Sequence, residues 1–363
     1  MGGLRVKVNI KDLLYVYEKE VSKNTKNKYK IYNFEKYKMM NIINIKNSIE
    51  NNTYSIGKYN IFYIYEPKLR IIMSLSIKDR IVDHYISKYI LLPKINKYLD
   101  IRNVASRKNM GMSYGIKLLK KYIEVNKKYK NIYVLKIDIS KYFYSIDHDI
   151  LKHMLSSILD KDEYNLVCLF IDSTNYSYVN NSITKIKEYL LKISKNDKQT
   201  KEIEEIPYYL YGKGLTIGNV CSQILSIFYL SRIDYYIIHN LRLKYMIRYC
   251  DDIVILSNNK DKLRTSFNNI VIKLEEYKLR LNYKKSFITN INNSFIFCGN
   301  YIKVINNKTI IKRSSTSKRK IKNNLKLINY LYSNKLISFR KYFCSINSYK
   351  FIGGHYVKEN NNG

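Results

Sequence analysis

The stretch YMIRYCDDIVILS, from Tyr245 to Ser257, places two adjacent aspartates between two short apolar runs. Both runs are rich in residues that favour strands, so the stretch predicts a hairpin with Asp251 and Asp252 at its turn. Because adjacent carboxylates repel each other, we expect a positive partner, and a divalent metal ion is the simplest candidate. A solvated Asp-Asp turn without a ligand is the alternative that these residues alone leave open.

A third aspartate belongs to a second strand-like run, more than a hundred residues upstream. Tyr133 to Ile139 form a near-continuous apolar run with Asp138 near its end, which is typical of a strand buried on both faces. A helix is predicted after it, with Asp147 as its N-cap. An acid at a strand end and an acid pair at a turn can converge on two Mg²⁺ ions, which catalyse phosphoryl transfer by positioning and charge neutralisation.

The charge of the chain points to a polyanionic partner. Among 363 residues, Lys and Arg number 65 and Asp and Glu 29, which gives a formal net charge of +36. Nucleic acid is the simplest partner for such a charge, and a membrane surface is the rival. No apolar run reaches the roughly 18 residues that a spanning helix needs, so we expect nothing to span a bilayer, and nucleic acid rather than a membrane is the expected partner. No signal peptide is visible at the amino terminus.

Cysteine usage indicates a reducing compartment. The five cysteines are scattered without a CxxC pair, which argues against a zinc ribbon or a disulfide framework and predicts a cytoplasmic protein. His148 and His153 are five residues apart, a poor spacing for a metal site.

The amino-terminal region is predicted to contain one or two helices and then a hairpin. The hairpin is expected over Thr53–Pro67, with Gly57 near its turn, followed by a further strand and by a helix from Lys78. A basic loop then leads into another helix before the strand of Asp138.

The remainder alternates between long helices and short strands. Residues 156–213 are predicted to be a long polar insertion with helical segments, and residues 212–241 a glycine-rich turn that feeds one long helix. An amphipathic helix is predicted after the hairpin of Asp251, with Leu263 to Tyr277 repeating at helical spacing. Strands are expected in LNYKKSFI and FIFCGNYIKV, and a Lys-rich helical tail from Lys312.

Taken together, these segments resemble a reverse transcriptase. The blocks occur in the order that the family has: PKLRII with DR (67–80), RKNMG (107–111), KIDISKYFYSIDH (136–148), GLTIGNVCSQ (214–223), YCDD (249–252), LNYKKS (281–286) and FCG (297–299). The family writes the YCDD block as Y-x-D-D.

The resemblance implies an α+β right-hand polymerase fold with fingers, a palm built on an antiparallel sheet with packed helices, and a helical thumb. Residues 1–130 would form the fingers, with 156–213 as an inserted segment between fingers and palm. Residues 131–155 and 214–303 would form the palm, and 304–363 the thumb, which would hold a duplex backbone through nonspecific charge.

The resemblance also assigns the catalytic residues. Asp138, Asp251 and Asp252 would bind two Mg²⁺ ions, with Mn²⁺ as the alternative metal, and the Ile139 carbonyl would assist. Lys285 matches the lysine that protonates the departing pyrophosphate.

Substrate-binding residues follow in the same way. The residues expected to bind the deoxynucleoside triphosphate are Lys68, Arg70, Phe143, Ile217, Gly218 and Gln223. Those expected to contact template and primer are Arg107, Lys108, Gly111, Phe297, Cys298 and Gly299. Phe143 matches the steric gate that excludes a ribose 2′-hydroxyl. Ordinary surface charge is the alternative for Lys68 and Arg70, and a core position for Phe143.

The block GLTIGNVCSQ (214–223) has a sequence that differs between subgroups of the family. Retroviral, group II intron and retron enzymes usually write it with Gln-Gly and Ser-Pro, whereas this chain has Ile217-Gly218 and Ser222-Gln223. That form is similar to diversity-generating retroelement enzymes and to bacterial "unknown group" enzymes linked to phage defence. The loop GMSYG, Cys250 in the acid turn and the long insertion favour the defence group. The alternative is error-prone, adenine-selective copying of a template repeat RNA.

The partners expected on this basis are dNTPs, an RNA template, an RNA/DNA duplex and a dedicated structured noncoding RNA. A small accessory protein or a homo-oligomer is left open. Two rivals remain: a non-enzymatic RNA-binding scaffold, and synthesis primed by a tyrosine hydroxyl.

Overall fold

The computed structural model describes residues 6–65 and 68–350 of the chain. It divides the chain into two compact units. The first contains residues 1–101, 139–236 and 269–282, and the second contains residues 102–138, 237–268 and 283–363. The predicted boundaries of fingers, palm and thumb remain a prediction.

The first unit is mainly helical. Its helices are α1 (Ile10–Val16), α2 (Lys28–Glu35), α3 (Lys38–Glu50), α4 (Ile77–Tyr85), α5 (Leu92–Ile95), α7 (Tyr142–Ser145), α8 (His148–Ser156), α9 (Lys161–Asp172), α10 (Ser177–Lys192), α11 (Asp197–Glu204), α12 (Val220–Tyr229) and α13 (Ser231–Tyr235). Side chains fix several helix starts: Ser76 caps α4, Asp147 caps α8 as predicted, and Asp160 with Glu163 forms a capping box on α9.

The hairpin of the first unit is not where the sequence predicted it. Strand β1 (Asn60–Ile64) pairs antiparallel with β2 (Arg70–Ser74), so the predicted hairpin over Thr53–Pro67 is wrong. Gly57 lies before β1, and its N–H donates to the Asp79 carboxylate at 3.3 Å. A Cβ at Gly57 would lie 2.9 Å from an oxygen of that carboxylate, so this glycine serves close packing rather than a turn.

The predicted long helix after the glycine-rich turn is interrupted. It stops at Tyr229 and resumes at Ser231, and Leu230 between the two helices has φ −84° and ψ −1°. The predicted apolar stripe is nevertheless confirmed, since its residues are all buried: Ile224, Ile227, Leu230, Ile233 and Ile237.

The second unit is built around a four-stranded antiparallel sheet. Its strands are β3 (Tyr133–Asp138), β4 (Tyr245–Tyr249), β5 (Asp252–Ser257) and β6 (Phe287–Asn290), in the order β4-β5-β3-β6. The four inner residues of β3 are buried, which confirms the prediction of a strand covered on both faces. Helix α6 (Met112–Asn126) also belongs to this unit, and α14 (Lys260–Glu276) begins in it.

A second sheet of this unit has three strands. These are β7 (Phe295–Phe297), β8 (Asn300–Ile305) and β9 (Lys308–Arg313), in the order β7-β8-β9. Strand β9 is absent from the sequence prediction, and the predicted helical tail is confirmed but begins at Ser315 rather than at Lys312. Helices α15 (Ser315–Ser333) and α16 (Phe339–Lys350) follow the sheet. In the described ranges, no helix is both long and apolar enough to cross a bilayer.

Candidate active site

The register of the four-stranded sheet brings the three predicted acids to one end of it. Asp138, the last residue of β3, is the direct partner of Asp252, the first residue of β5. Asp252 is also the partner of Tyr249, so Cys250 and Asp251 form a two-residue turn between β4 and β5. Directly opposed residues of an antiparallel pair point to the same face, so Asp138 and Asp252 face the same way.

A buried arginine supports this turn. Arg248 is fully buried, and its guanidinium donates to the Cys250 carbonyl at 3.0 Å. Its backbone N–H donates to the Arg102 carbonyl, and its carbonyl accepts from Val104, each at 2.9 Å. Cys250 has φ +55°, a left-handed backbone conformation that residues other than glycine rarely adopt. The arginine therefore holds the acid turn in an uncommon backbone geometry, a role that the sequence analysis did not predict.

Lys136 is a second residue that the sequence analysis missed. Its ammonium forms an ion pair with Asp252, and it lies 5.6 Å from the centre of the Phe297 ring. Lys136 is 7% exposed, whereas lysines are rarely buried without a partner. The signal was available, because a lysine two positions before Asp138 in an apolar strand must share its face.

Lys285 contacts the carboxylate of Asp138. Its ammonium lies 3.4 Å from both oxygens of Asp138, and its side chain is 50% exposed. The neighbouring Ser286 hydroxyl accepts from the Asp138 N–H at 3.0 Å. The structure therefore places Lys285, the lysine chosen from the sequence, beside the acids.

Crowding of negative charge marks this end of the sheet. Burial raises the pKa of Asp252 to about 6, the Lys136 ammonium opposes this rise, and the carboxylates of Asp251 and Asp138 add to it. All three acids are thus close enough to interact electrostatically.

Hard carboxylate oxygens are the ligand type that Mg²⁺ takes, so this donor chemistry suits a divalent ion. Within residues 6–65 and 68–350, however, no three His, Cys, Asp or Glu side chains lie close enough together to form a metal cluster. The ammonium groups of Lys136 and Lys285 instead balance the charge of Asp252 and Asp138. The assignment of metal ligands therefore stays a prediction.

The predicted primer-grip residues lie in the same unit. Cys298 and Gly299 have φ +48° and +73°, as a two-residue hairpin turn between β7 and β8 requires. Burial raises the pKa of the Cys298 thiol, and the charge of Asp252 adds to the rise, so this turn lies near the acids. Phe297 is fully buried, and a Cβ at Gly115 of α6 would lie 3.6 Å from its ring.

The predicted basic loop precedes α6. The Arg107 guanidinium donates to the Asn103 carbonyl at 3.3 Å, and Lys108 is exposed. Gly111 precedes the first residue of α6 and has φ +129°. Residues with a side chain rarely adopt this backbone conformation, which explains why a glycine stands there.

The predicted nucleotide-binding residues belong to the first unit, where several come together. The Ile217 carbonyl accepts from the Met73 N–H of β2 at 3.0 Å, and a Cβ at Gly218 would lie 3.3 Å from the Met73 carbonyl oxygen. The Phe143 carbonyl accepts from Leu215 at 2.7 Å. The segment from Leu215 to Gly218 therefore contacts the backbone of the predicted gate at one end and β2 at the other.

The other predicted nucleotide contacts are exposed, whereas Ile139 of the predicted metal site is not. Arg70 begins β2 and is exposed, Lys68 is exposed, and Gln223 is exposed on α12. Ile139 is buried and forms an isolated bridge with Leu281.

Two buried side chains that the sequence analysis did not assign fix the glycine-rich segment. The Asp83 carboxylate accepts from the N–H groups of Val220 and Cys221, both at 2.9 Å, at the amino end of α12. His148 contacts the Gly214 carbonyl through Nε2 at 2.7 Å. Asp83 thus caps a helix from a distance of more than a hundred residues in sequence, which local motifs cannot reveal.

Comparison with known proteins identifies the family. Residues 56–302 match the family described as reverse transcriptase (RNA-dependent DNA polymerase). The chain belongs to the reverse transcriptase family. This match covers the blocks quoted from the sequence and confirms the predicted family and right-hand fold class. Reverse transcriptases generally use divalent metal ions.

Solved structures of telomerase are among those similar to this reverse transcriptase. Telomerases from Candida tropicalis and Candida albicans, each in complex with a fragment of telomeric RNA, align with TM-score 0.46 and 16% identity. The alignments cover 72% of this chain and 45% and 46% of those chains, so the chain spans under half of their length. No curated protein sequence matches the chain.

Proposed function

We propose that this reverse transcriptase copies a dedicated structured noncoding RNA into cDNA by two-metal nucleotidyl transfer, in the cytoplasm and in anti-phage defence. The observation that carries the catalytic part of the proposal is the register of Asp138 against Asp252, with Asp251 in the adjoining turn. Family membership supports DNA synthesis on RNA.

Asp138, Asp251 and Asp252, with the Ile139 carbonyl, would hold the Mg²⁺ ions, or Mn²⁺ in their place. When bound, such ions neutralise phosphate charge and lower the pKa of the primer 3′-hydroxyl. In this reaction the primer 3′-hydroxyl would lose its proton to solvent, its oxygen would bond to the α-phosphorus, and the bond from that phosphorus to pyrophosphate would break. Lys285 would give a proton to the departing pyrophosphate, and its ammonium lies 3.4 Å from the Asp138 carboxylate.

Phe143 is proposed to select deoxyribose. A ring beside the sugar leaves no room for a 2′-hydroxyl, and the hydrogen bond from Leu215 to the Phe143 carbonyl fixes the backbone from which the ring projects. The other nucleotide contacts proposed are those of Lys68, Arg70, Ile217, Gly218 and Gln223. Arg107, Lys108 and Gly111, with Phe297, Cys298 and Gly299, keep their proposed roles at template and primer.

The biological role rests on sequence features. The long segment 156–213, Cys250 in the acid turn and the loop GMSYG favour a defence enzyme with its own noncoding RNA, alone or with an accessory protein or second copy. A second candidate is a diversity-generating retroelement enzyme, because the Ile217-Gly218 pair is similar to that group as well as to the defence group. Sequencing of co-purified RNA and cDNA separates the two, because cDNA with substitutions confined to template adenines supports diversification.

Primer extension on an RNA template tests the catalytic proposal. The wild-type protein should incorporate dNTPs in preference to rNTPs, and Asp251→Ala and Asp252→Ala should each lower the rate by roughly 10³-fold or more. Asp261→Ala, an acid exposed on α14, is the matched control and should retain the rate. Equal extension by all variants would reject these acids as catalytic and favour a scaffold role. A nucleotide-tyrosine adduct in mass spectra would instead indicate priming by the protein itself.

A further inference from the structure

An unusual surface lies outside the region that matches the family. The family match begins at residue 56, whereas α2 and the start of α3 precede it. In the described segment 6–65, α2 buries one residue, Phe34, whose ring packs on Tyr17 with centroids 4.7 Å apart. A helix that buries one of its side chains leaves most of the others to solvent or to a partner.

Three tyrosines project from this region. Tyr29 is 72% exposed, Tyr32 is 66% exposed and Tyr37 is 52% exposed. Tyr29 and Tyr32 are three residues apart on α2, so they lie on one side of the helix. Tyr37 stands at the start of α3, with the Lys36 ammonium 5.5 Å from its ring centre.

Positive charge is interleaved with these rings. Residues 22–40 contain six lysines and a single acid, Glu35. The Glu35 carboxylate accepts from the Tyr17 hydroxyl at 3.1 Å. We define the tyrosine–lysine surface as Lys28, Tyr29, Lys30, Tyr32, Lys36 and Tyr37.

We propose that the tyrosine–lysine surface binds a single-stranded stretch of the RNA that the enzyme copies, an inference that rests on the proposed function. Phosphates would match the lysines, and unpaired bases would stack on the tyrosine rings. A duplex offers phosphates but keeps its base faces stacked, so it would use the lysines alone. An apolar protein partner would have to desolvate those lysines without compensation, which disfavours it.

Crosslinking and binding with a defined probe test this surface. The probe is a uridine oligomer of about 20 nucleotides, enough to span such a surface. Ultraviolet crosslinking to the wild-type full chain, mapped by mass spectrometry, should label Tyr29, Tyr32 or Tyr37. Replacing all three by alanine should weaken the probe's Kd at least about tenfold, because each stacked base contributes on the order of 1 kcal/mol or more.

A matched control removes three exposed tyrosines from elsewhere in the first unit. Tyr176, Tyr189 and Tyr235 are 45%, 54% and 59% exposed, and replacing them by alanine should change the Kd less than about twofold. Lys28→Gln, Lys30→Gln and Lys36→Gln together should reduce the salt dependence of binding by about 2 in slope.

Equal affinity of the two tyrosine variants, or crosslinks that avoid residues 28–37, would overturn the assignment. Loss of a co-purifying protein from the variant of Tyr29, Tyr32 and Tyr37, with uridine binding intact, would also overturn it in favour of a protein partner. Extension of oligo(dT) on poly(rA) by the wild type is measured in parallel. If the wild type does not extend this primer, the proposed function is wrong. The crosslinks test the tyrosine–lysine surface independently of that result.

Discussion

Two turns of this protein carry its predicted chemistry, and they are held in different ways. The turn of Cys250 and Asp251 joins neighbouring strands, and the β4–β5 ladder and Arg248 fix it from within one hairpin and its adjoining loop. The segment from Gly214 to Cys221 is fixed by groups remote in sequence, chiefly Asp83, His148 and the Phe143 carbonyl. A local turn can be recognised from its own residues, whereas a segment held from a distance cannot.

Among changes to the supports of the two turns, the largest effect is expected from breaking the support of the acid turn. Arg248→Met removes the donor to the Cys250 carbonyl and leaves that oxygen without this bond, which costs about 1–3 kcal/mol. Because small displacements of reacting groups can cost about 10²-fold in rate, we expect kcat for primer extension to fall by that order.

The control is Arg264→Met, which removes an arginine whose side chain is 61% exposed on α14. Arg248→Lys should recover part of the rate, since its ammonium keeps a donor for the Cys250 carbonyl. A folded Arg248→Met protein with unchanged kcat would show that the ladder alone positions the acids.

A smaller effect is expected from releasing the distant support. Asp83→Asn replaces one carboxylate oxygen by an amide that cannot accept from the α12 N–H groups. We expect KM for dNTP to rise roughly tenfold with a smaller change in kcat, because the segment of Ile217 and Gly218 precedes that helix. Steady-state kinetics at neutral pH measure this split. A fall in kcat alone would contradict the proposed link to nucleotide binding.

Asp83 also predicts a pH dependence of stability. Burial raises the pKa of its carboxyl to about 6, the N–H groups of Val220 and Cys221 oppose the rise, and Arg80 opposes it more weakly. The folded protein therefore holds this proton more tightly than the unfolded chain does. The contribution of Asp83 to stability is greatest in acid and is lost as the pH rises through about 6.

Melting temperatures at pH 4 and pH 7 test the sign of this contribution. The melting temperature of the wild type minus that of Asp83→Asn should be larger at pH 4 than at pH 7. Acid effects that are common to both proteins cancel in this difference. Tyr54 and Tyr59 lie close enough for Asp83 to raise their pKa values, yet both stay neutral over this range. A difference between the two proteins that is independent of pH would contradict the raised pKa.

The smallest effect is expected from a change that leaves both turns intact. Ile217→Gln restores the amide that other subgroups of the family carry and adds a polar contact at the proposed nucleotide site. We expect misincorporation opposite template adenine to fall several-fold, with overall extension nearly unchanged. Sequencing of cDNA made on one template by both proteins gives the error rates, and equal rates would reject the link between Ile217 and fidelity.

The sequence was sufficient for elements whose signals are local. Alternation and composition identified β3, β4 and β5, and the acid pair located the β4–β5 turn, although that turn is formed by Cys250 and Asp251 and Asp252 already begins β5. It was insufficient for β9, although Asn306 and Asn307, with φ +46° and +59°, mark a two-residue hairpin turn in retrospect. The first hairpin was predicted at the wrong place because of Gly57. A glycine that packs against Asp79 cannot be distinguished in sequence from a turn glycine.

The residues of the candidate site also fall into those that local motifs predict and those that only the fold reveals. Asp138, Asp251, Asp252 and Lys285 follow from short motifs, and the structure brings them to one end of the sheet. Arg248 and Asp83 escaped prediction because a charged residue in sequence is normally exposed, and only the fold shows that these two are buried against backbone groups.

Iron-directed backbone cleavage tests the central claim most directly. Fe²⁺ in place of Mg²⁺, with ascorbate and peroxide, releases radicals that cut the chain beside the bound ion. Fragment masses should show cuts near residue 138 and near residues 251–252 in one preparation, and Asp252→Ala should remove both. Cuts at only one of these places, or cuts that persist in the variant, would contradict a shared metal site formed by the three aspartates.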